Sequence, residues 1–219
     1  WKAADLIKRE FNIDKGVSID LRKNIPVGAG LGGGSSDAAI TLKGLNTFWQ
    51  IGCDDDELMK LAAEIGSDVP FFIKGKTALC TGRGEIVLPV LIDKEYIYVL
   101  VYPNLKIDTK NVYENLRLGL TKDRKDVNFF LNKLQTAANI NFKDFLFNRL
   151  SETIYRLYPA LLETKNLLEK FDFCGMQISG SGSSMFGLCE RRCDAEKIKA
   201  EIEKYCMAAK VFVATNCLE

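Results

Sequence analysis

Histidine is absent from the 219 residues of this chain, and its absence excludes several kinds of active site. A Ser-His-Asp triad, a Cys-His pair and a histidine-ligated zinc site all require an imidazole ring. A general base in this protein must therefore be an Asp, Glu, Lys, Tyr or Cys side chain. Long apolar runs are absent as well, since none reaches the ~18 residues that a membrane-spanning helix needs. We therefore expect no membrane partner.

Basic and acidic residues are nearly equal in number, 30 against 29. This balance provides no general attraction to nucleic acid, so we expect no nucleic-acid partner.

The seven cysteines are odd in number and include no C-x-x-C pair. That usage favours reduced core thiols in a reducing compartment, and the cytoplasm is the expected location. Apolar residues make up 47% of the chain, which is enough for a sizeable core.

The spacing of apolar residues predicts a mainly helical N-terminal part with a strand before the glycine-rich segment and one hairpin. Apolar residues at helical spacing mark the helices, and strict alternation of apolar and polar residues marks the strand. The third helix has a capping-box-like start, and glycines separate the two hairpin strands. The expected elements are helices over 1–12, after the glycine-rich segment and from Asp54, a half-buried strand at Val17–Arg22, and a hairpin of Thr77–Thr81 with Glu85–Pro89.

A second pattern starts near residue 92, where we place a domain boundary. Its order is strand, helices, strand, tight turn, strand, helix and strand, which matches the split βαβ plan of an α+β layer. The expected elements are strands Tyr96–Tyr102, Met176–Ser179, Met185–Cys189 and Lys210–Thr215, a helix at Asp194–Cys206, and helices within roughly 109–171 that break near Lys122–Asp126 and Asn139–Asn141.

A glycine-rich segment lies between the predicted strand and the next predicted helix. Residues Pro26–Asp37 read P-V-G-A-G-L-G-G-G-S-S-D. Glycine lets backbone N–H groups converge on one anion, and the helix that follows directs the positive end of its dipole to the same point. Ser35 and Ser36 add hydroxyl groups for the phosphate or for a metal bound to it. The segment therefore predicts a phosphate-binding loop.

Two common phosphate-binding motifs do not fit this segment. Walker A requires a lysine after the glycines, and none follows here. Gly28, Gly30 and Gly33 do spell G-x-G-x-x-G, but no strand with an acidic partner follows at the distance of the Rossmann motif. A flexible surface linker is the alternative interpretation, although a linker is seldom followed at once by a helix with a clean apolar stripe.

The segment Pro26–Ala39 resembles the signature loop of the GHMP kinases, the family of galactokinase, homoserine kinase, mevalonate kinase and phosphomevalonate kinase. Its glycines most resemble a branch whose acceptor is a cytidine-diphosphate-linked polyol. The resemblance implies an ATP-dependent phosphotransferase that uses Mg²⁺ and a small-molecule alcohol acceptor. The nucleotide-binding residues that it implies are Lys23, Pro26, Val27, Gly28, Ala29, Gly30, Leu31, Gly32, Gly33, Gly34, Ser35 and Ser36.

The same resemblance implies an α+β, two-domain GHMP kinase fold. Residues 1–92 are expected to form an N-terminal, ATP-binding part that is ribosomal-protein-S5-domain-2-like and lacks its first portion. Residues 93–219 are expected to form a ferredoxin-like split βαβ domain. Trp1 opens a helical pattern that is already under way, so we expect an upstream segment carrying the lysine that assists catalysis in this family. We expect this chain alone to have negligible kinase activity and to self-associate.

Asp68 lies in I-G-S-D-V-P-F-F, which we interpret as a turn between a helix end and an apolar strand. On composition alone, an aspartate that bonds nearby backbone N–H groups is the more ordinary interpretation. The similar kinases carry G-x-D-V-P-F at this place, with the aspartate as the catalytic base. The resemblance therefore implies that Asp68 accepts or orients the proton of the attacking hydroxyl.

A second glycine-serine turn, Ser179–Ser184, joins two predicted strands. A plain hairpin is the alternative, but the turn resembles the third GHMP motif, G-x-G-x-S-x-F/V.

The resemblance also implies an aromatic residue that stacks on the substrate's cytosine. Tyr113 is at the matching position, and an ordinary helix tyrosine is the alternative interpretation there. A solvated lysine is likewise the alternative for Lys23. The expected substrate-binding residues are Thr109, Tyr113, Gly180, Ser181 and Gly182.

Two rival functions stay open at this point. One is another GHMP kinase, of the homoserine or mevalonate type, which the extra glycines and the D-V-P-F sequence disfavour. The other is a nucleotide-binding module without catalysis.

The run Asp54–Asp56 is interpreted as a helix N-terminus and not as a metal site. The oligomeric state is open, and a homodimer is among the possible states.

Overall fold

The chain folds into two compact units, and a computed structural model describes residues 1–117, 126–136 and 140–217 of it. The first unit contains Trp1–Ile25 and Gly32–Leu91. The second contains Pro26–Leu31 and the described residues from Ile92 onward. The glycine-rich loop is therefore divided, with its first half in the second unit and its second half in the first.

The first unit consists of helices around a small apolar core, with one hairpin. The buried residues recur at helical spacing, as Leu42 with Leu45 and Leu58 with Leu61 show. Such a stripe is stable only when another apolar face covers it, so the helices pack on one another. The elements are α1 (Lys2–Glu10), α2 (Gly33–Phe48), α3 (Asp55–Ile65), α4 (Val69–Lys74), β1 (Ala78–Thr81) and β2 (Ile86–Pro89).

The predicted capping box at the start of α3 is confirmed. The backbone N–H of Glu57 donates to the Asp54 carboxylate at 2.9 Å, and the backbone N–H of Asp54 donates to the Glu57 carboxylate at 3.1 Å. Two N–H groups that a helix start leaves unpaired are thereby satisfied. The predicted hairpin is also confirmed, with β1 and β2 antiparallel.

Two predicted strands in the first unit are wrong. Val17–Arg22 forms no ladder with any described strand, and Val17, Ile19 and Leu21 are exposed. Alternation alone does not make a strand, because the backbone also needs a partner for its hydrogen bonds. The apolar residues after Asp68 form α4 rather than a strand. Pro70 lies in the first turn of α4, where its missing N–H costs nothing.

The second unit is an antiparallel four-stranded sheet with helices. The predicted order of elements is confirmed in the described part of the chain. Most of the break predicted at Lys122–Asp126, and Asn139 of the other break, lie outside the described residues. The elements are β3 (Ile97–Tyr102), α5 (Thr109–Glu114), α6 (Val127–Thr136), a 3-10 turn (Phe142–Asp144), α7 (Ser151–Leu157), α8 (Pro159–Leu168), β4 (Gly175–Ile178), β5 (Met185–Cys189), α9 (Arg192–Tyr205) and β6 (Lys210–Thr215).

The sheet has the strand order β4-β5-β3-β6, and each neighbouring pair is antiparallel. Strands β3 and β4 are therefore parallel with β5 between them, and β5 and β6 are parallel with β3 between them. These are two interleaved split βαβ units, so the predicted ferredoxin-like arrangement is confirmed. Val99 in the central strand is fully buried, opposite Gly187 on one side and Val213 on the other.

None of the described helices combines the length and the apolar character that crossing a membrane would require. All seven cysteines are free thiols, as the sequence predicts, but Cys80, Cys193 and Cys217 are exposed, so the expectation that they lie in the core is wrong for these three. The least exposed of them is Cys189, where burial raises the pKa of the thiol to about 11.

Candidate active site

The first half of the glycine-rich loop, Pro26–Leu31, is anchored within the second unit by hydrogen bonds to its backbone carbonyl groups. The Ser184 N–H donates to the Ala29 carbonyl oxygen at 3.0 Å. The Ser179 hydroxyl donates to the Gly30 carbonyl oxygen at 2.8 Å. Ala29 is 1% exposed, so this half of the loop is part of the packed interior and not a free linker.

Gly30 lies so close to the second glycine-serine turn that no side chain fits at this position. Its φ is +71°, in the left-handed region that favours glycine. A Cβ atom here would lie 2.2 Å from the Ser179 carbonyl oxygen and 2.8 Å from the Gly182 carbonyl oxygen. Backbone carbonyl groups cannot swing aside as the tip of a side chain can. Close approach and backbone conformation therefore both require glycine.

The second half of the loop leads directly into α2 and leaves the N-terminus of that helix open. Gly32 occupies the N-cap position with φ +65°, and no described side chain caps the helix. The first N–H groups of a helix have no intrahelical acceptor, and the first turn of α2 contains no acidic residue. A Cβ atom on Gly34 would meet nothing within 4 Å. The helix therefore presents free N–H groups and the positive end of its dipole to an anion.

Lys23 lies near this helix start but has a carboxylate partner. Its ammonium group forms an ion pair with Asp37, the fifth residue of α2, and both side chains are about one-third exposed. The Lys23 nitrogen would lie 3.8 Å from a Cβ atom on Gly33, so a positive charge stands close to the first turn. Ser35 and Ser36 complete that turn. The contact of Lys23 with a nucleotide stays a prediction.

Asp68 is an exposed carboxylate that the local backbone does not use. It occupies the N-cap position of α4 with helical dihedral angles, and its side chain caps no N–H group among the described residues. Within the described part of the chain, the one hydrogen-bond contact of Asp68 is the Ser67 hydroxyl at 3.5 Å, a marginal distance, and the carboxylate forms no ion pair there. The structure thus does not support the alternative of a turn aspartate bonded to backbone. The Asp68 carboxylate is exposed and can take part in a reaction.

The tip of the β1–β2 hairpin lies beside this carboxylate. A Cβ atom on Gly84 would be 3.6 Å from Asp68 Oδ1. Desolvation raises the pKa of the Cys80 thiol in β1, and the negative charge of Asp68 raises that pKa further. The hairpin therefore brings the backbone of Gly84 next to the charged group.

The second glycine-serine turn, Ser179–Ser184, is built more tightly than a plain hairpin. Ser183 and Ser184 are completely buried. The Ser183 hydroxyl donates to the Leu105 carbonyl oxygen, and the Gly182 N–H donates to the Ser179 carbonyl oxygen. The Ser184 hydroxyl has no partner among the described residues. This turn and the first half of the loop form one hydrogen-bonded body.

Thr109 and Tyr113 lie on the same face of α5, because they are four residues apart. The Asp108 carboxylate fixes the start of this helix by accepting the Lys110 N–H at 3.0 Å. The Thr109 hydroxyl lies 2.8 Å from the Ser181 hydroxyl, so the structure brings two of the predicted substrate residues together. Tyr113 is 59% exposed and leaves its ring open to a planar ligand.

Sequence reasoning missed residues that support this site. Asp108 before Thr109 is an N-cap pattern that local rules do detect. No local sequence pattern points to Asn148, because its side chain donates to the carbonyl oxygens of Ile178 and Gly180, which lie 30 and 32 residues further along the chain. The buried Ser183 bonds to a carbonyl 78 residues away. Only the folded chain shows these partners.

Comparison with known proteins identifies both halves of the chain. The GHMP kinases N terminal domain matches residues 1–76, and the GHMP kinases C terminal domain matches residues 128–207. The 4-diphosphocytidyl-2-C-methyl-D-erythritol kinase of Shouchella clausii is 41% identical over 207 residues, which are 94% of this chain and 69% of the relative. The kinase of the same name from Geobacillus kaustophilus is 38% identical and is covered to 71% of its length.

Solved structures agree with this assignment. A crystal structure of 4-(cytidine 5'-diphospho)-2C-methyl-D-erythritol kinase matches 98% of this chain and 76% of its own, with a TM-score of 0.80 and 32% identity. Homoserine kinase from Cytophaga hutchinsonii matches with a TM-score of 0.79 but only 19% identity, over 98% of this chain and 75% of its own, so that likeness shows the shared fold alone. Both domains and the substantial sequence identity lead to one conclusion: this chain belongs to the GHMP kinases and, among them, to the 4-diphosphocytidyl-2-C-methyl-D-erythritol kinase family.

Proposed function

We propose that this protein transfers the γ-phosphate of ATP to the 2-hydroxyl of 4-diphosphocytidyl-2-C-methyl-D-erythritol, in the non-mevalonate isoprenoid pathway. Family membership makes the chain an ATP-dependent small-molecule kinase. The structural observation that carries the proposal is the uncapped N-terminus of α2, which follows three left-handed glycines, Gly28, Gly30 and Gly32.

The loop is proposed to bind the phosphate groups of ATP through its backbone. Free N–H groups at the start of α2 donate to phosphate oxygens, and the helix dipole favours their negative charge. Pro26–Leu31 is held by Ser179 and Ser184, so its backbone is already ordered when the nucleotide arrives. Phosphoryl transfer depends mainly on positioning and electrostatic stabilisation, which such a loop supplies.

The hydroxyl groups of Ser35 and Ser36 fit a Mg²⁺ ion that arrives with the nucleotide. Magnesium prefers hard oxygen ligands and usually keeps substrate phosphates and water in its coordination shell. We propose that these hydroxyls face the ion. When bound, the ion neutralises negative charge on the transferred phosphate.

Asp68 is proposed as the residue that handles the acceptor hydroxyl. An unpaired carboxylate accepts or orients the proton of an attacking alcohol. Thr109, Tyr113 and the turn residues Gly180, Ser181 and Gly182 are proposed to hold the acceptor. The exposed ring of Tyr113 would stack on the cytosine, because every base has a π-face.

Replacing Gly34 by Asp should weaken ATP binding at least tenfold, which corresponds to about 1.4 kcal/mol. The space around Gly34 is open, so the substitution adds a negative charge without a steric clash. An acidic residue in the first turn also favours the helix itself, so the fold should survive. Titration calorimetry with ATP measures the loss.

The neutral variant Gly34→Asn separates charge from bulk, since Asn and Asp have nearly the same size. We expect Gly34→Asn to bind ATP markedly better than Gly34→Asp. Equal ATP affinity for the parent protein and Gly34→Asp, with unchanged thermal unfolding, would show that phosphates do not bind at the start of α2.

Replacing Tyr113 by Ala should raise the KM for the cytidine-linked acceptor and leave the KM for ATP nearly unchanged. Stacking of one base on an aromatic ring contributes about 1–3 kcal/mol, so an increase of about five- to 150-fold is expected. Tyr113→Phe keeps the ring and should stay close to the parent protein. A coupled assay of ADP release measures both constants.

The same assay separates the proposed substrate from its rivals. Homoserine and mevalonate serve as alternative acceptors, and faster ADP release with either would make the protein another GHMP kinase. ATP binding without turnover of any acceptor would make it a nucleotide-binding module. An unchanged acceptor KM in Tyr113→Ala would remove this tyrosine from the site.

We also propose that the protein works in the cytoplasm without a nucleic-acid partner. The support is the free state of all seven cysteines and the near balance of 30 basic and 29 acidic residues.

A further inference from the structure

Asn148, which lies outside every glycine motif, uses its whole side-chain amide to clamp the second glycine-serine turn. The amide nitrogen donates to the Ile178 carbonyl oxygen at 3.0 Å and to the Gly180 carbonyl oxygen at 2.7 Å. The amide oxygen accepts the Leu150 N–H at 2.9 Å. Two carbonyl groups on one side and an N–H on the other fix the orientation of the amide, because each of its atoms finds the complementary partner.

The two carbonyl groups that Asn148 binds flank Ser179, and Ser179 is one of the residues that hold the nucleotide loop. The Ser179 hydroxyl donates to the Gly30 carbonyl oxygen at 2.8 Å, and the Ser179 N–H donates to the Ser184 carbonyl oxygen at 2.8 Å. Gly180 and Gly182 both have positive φ, so the turn contains residues with high conformational freedom. A turn of this kind keeps one shape only when other groups hold it.

We propose that Asn148 is a positioning residue for ATP binding, which acts through Ser179 on the backbone of Gly30. It restrains the carbonyl groups on both sides of Ser179, and Ser179 in turn holds the Gly30 carbonyl oxygen. The inference rests on the proposed function, because it presumes that the loop Pro26–Ser36 binds ATP.

The variant Asn148→Asp tests this role with little change of shape. It keeps the oxygen that accepts the Leu150 N–H, and so keeps the start of α7, but it loses both donors and places a carboxylate against two carbonyl oxygens. We expect the KM for ATP to rise about tenfold, which corresponds to about 1.4 kcal/mol. The kcat should change much less, whereas the KM for the acceptor should also rise, because Gly180 belongs to the turn that is proposed to hold the acceptor.

The matched control is Asn141→Ala. The Asn141 side chain accepts the Lys143 N–H and donates to the Asp144 carboxylate, so its bonds stay within its own helical turn. We expect a lower melting temperature in this variant and an unchanged KM for ATP. If Asn148→Asp behaves like Asn141→Ala, the role of Asn148 is purely structural and the proposal is overturned.

A double-mutant cycle with Ser179→Ala tests the route. If Asn148 acts through Ser179, the effects of the two substitutions on ATP affinity should be less than additive; full additivity would refute the route. Should Asn148→Asp not fold, the ATP affinity of Ser179→Ala alone decides, and an unchanged ATP affinity in that variant overturns the proposal.

The variant Gly30→Ala distinguishes a failure of the role of Asn148 from a failure of the proposed nucleotide loop. Weak ATP binding in Gly30→Ala with normal binding in Asn148→Asp refutes the role of Asn148 only, whereas normal binding in both refutes the nucleotide loop.

Discussion

Asp68→Asn should leave ATP binding intact and lower kcat by about 10²–10⁴-fold, the range for loss of a positioned proton acceptor. The substitution keeps the size of the side chain and removes its charge and its basicity. The structure gives Asp68 no cap and no ion pair among the described residues, so the fold should hardly depend on the carboxylate. A large loss of rate without a loss of stability is therefore the expected signature.

Single-turnover kinetics, ATP titration and thermal unfolding measure the three parts of this prediction. Asp56→Asn is the matched control, because Asp56 is also an exposed carboxylate of the first unit and, among the described residues, pairs only with Lys74 of α4. The control should keep its rate. Retention of most activity in Asp68→Asn would show that Asp68 is a turn residue, and a loss of ATP binding would move its role from the acceptor to the nucleotide.

Gly30→Ala should reduce ATP affinity at least tenfold, or about 1.4 kcal/mol. The added methyl group would lie 2.2 Å from the Ser179 carbonyl oxygen, so the loop and the turn must separate. The left-handed conformation of Gly30 adds roughly 1–2 kcal/mol for any residue with a Cβ atom. Both effects shift the backbone that is proposed to receive the phosphates.

Calorimetry with ATP and thermal unfolding distinguish a shifted loop from a lost fold. Gly44→Ala is the control, because Gly44 lies in the interior of α2 and a Cβ atom there meets nothing within 4 Å. That variant should be more stable by about 0.5–1 kcal/mol and should bind ATP as the parent protein does. Unchanged ATP affinity in Gly30→Ala, with the fold intact, would contradict the phosphate-loop interpretation.

The elements that could be predicted from the sequence are those with a local physical cause. The hairpin of β1 and β2 follows from glycines between two apolar segments, and α3 follows from its capping box at Asp54 and Glu57. Strand β6 has the bounds that the sequence predicts, Lys210–Thr215. Each of these signals lies within a few residues of the element that it determines.

The two wrong strands show where local signals fail. Val17–Arg22 has the alternation of a strand, but a strand forms only with a hydrogen-bonded neighbour, and none of the described strands pairs with it. The apolar residues of α4 are too few to show whether their period is that of a helix or a strand. Burial of Val69 and Ile73 on one side of the helix decided that question.

The sequence by itself determined the chemistry that this protein has at its disposal. Without histidine the general base is a carboxylate, a lysine, a tyrosine or a thiol, and the loop Pro26–Asp37 already predicts an anion site, because glycine and a helix start suffice for one. Tertiary structure alone decided which backbone the loop rests on and which side chains keep it there. Ser179 reaches Gly30 across 149 residues, and Asn148 reaches Gly180 across 32. Contacts of this kind depend on the packing of a whole unit, and no local pattern of residue types records them.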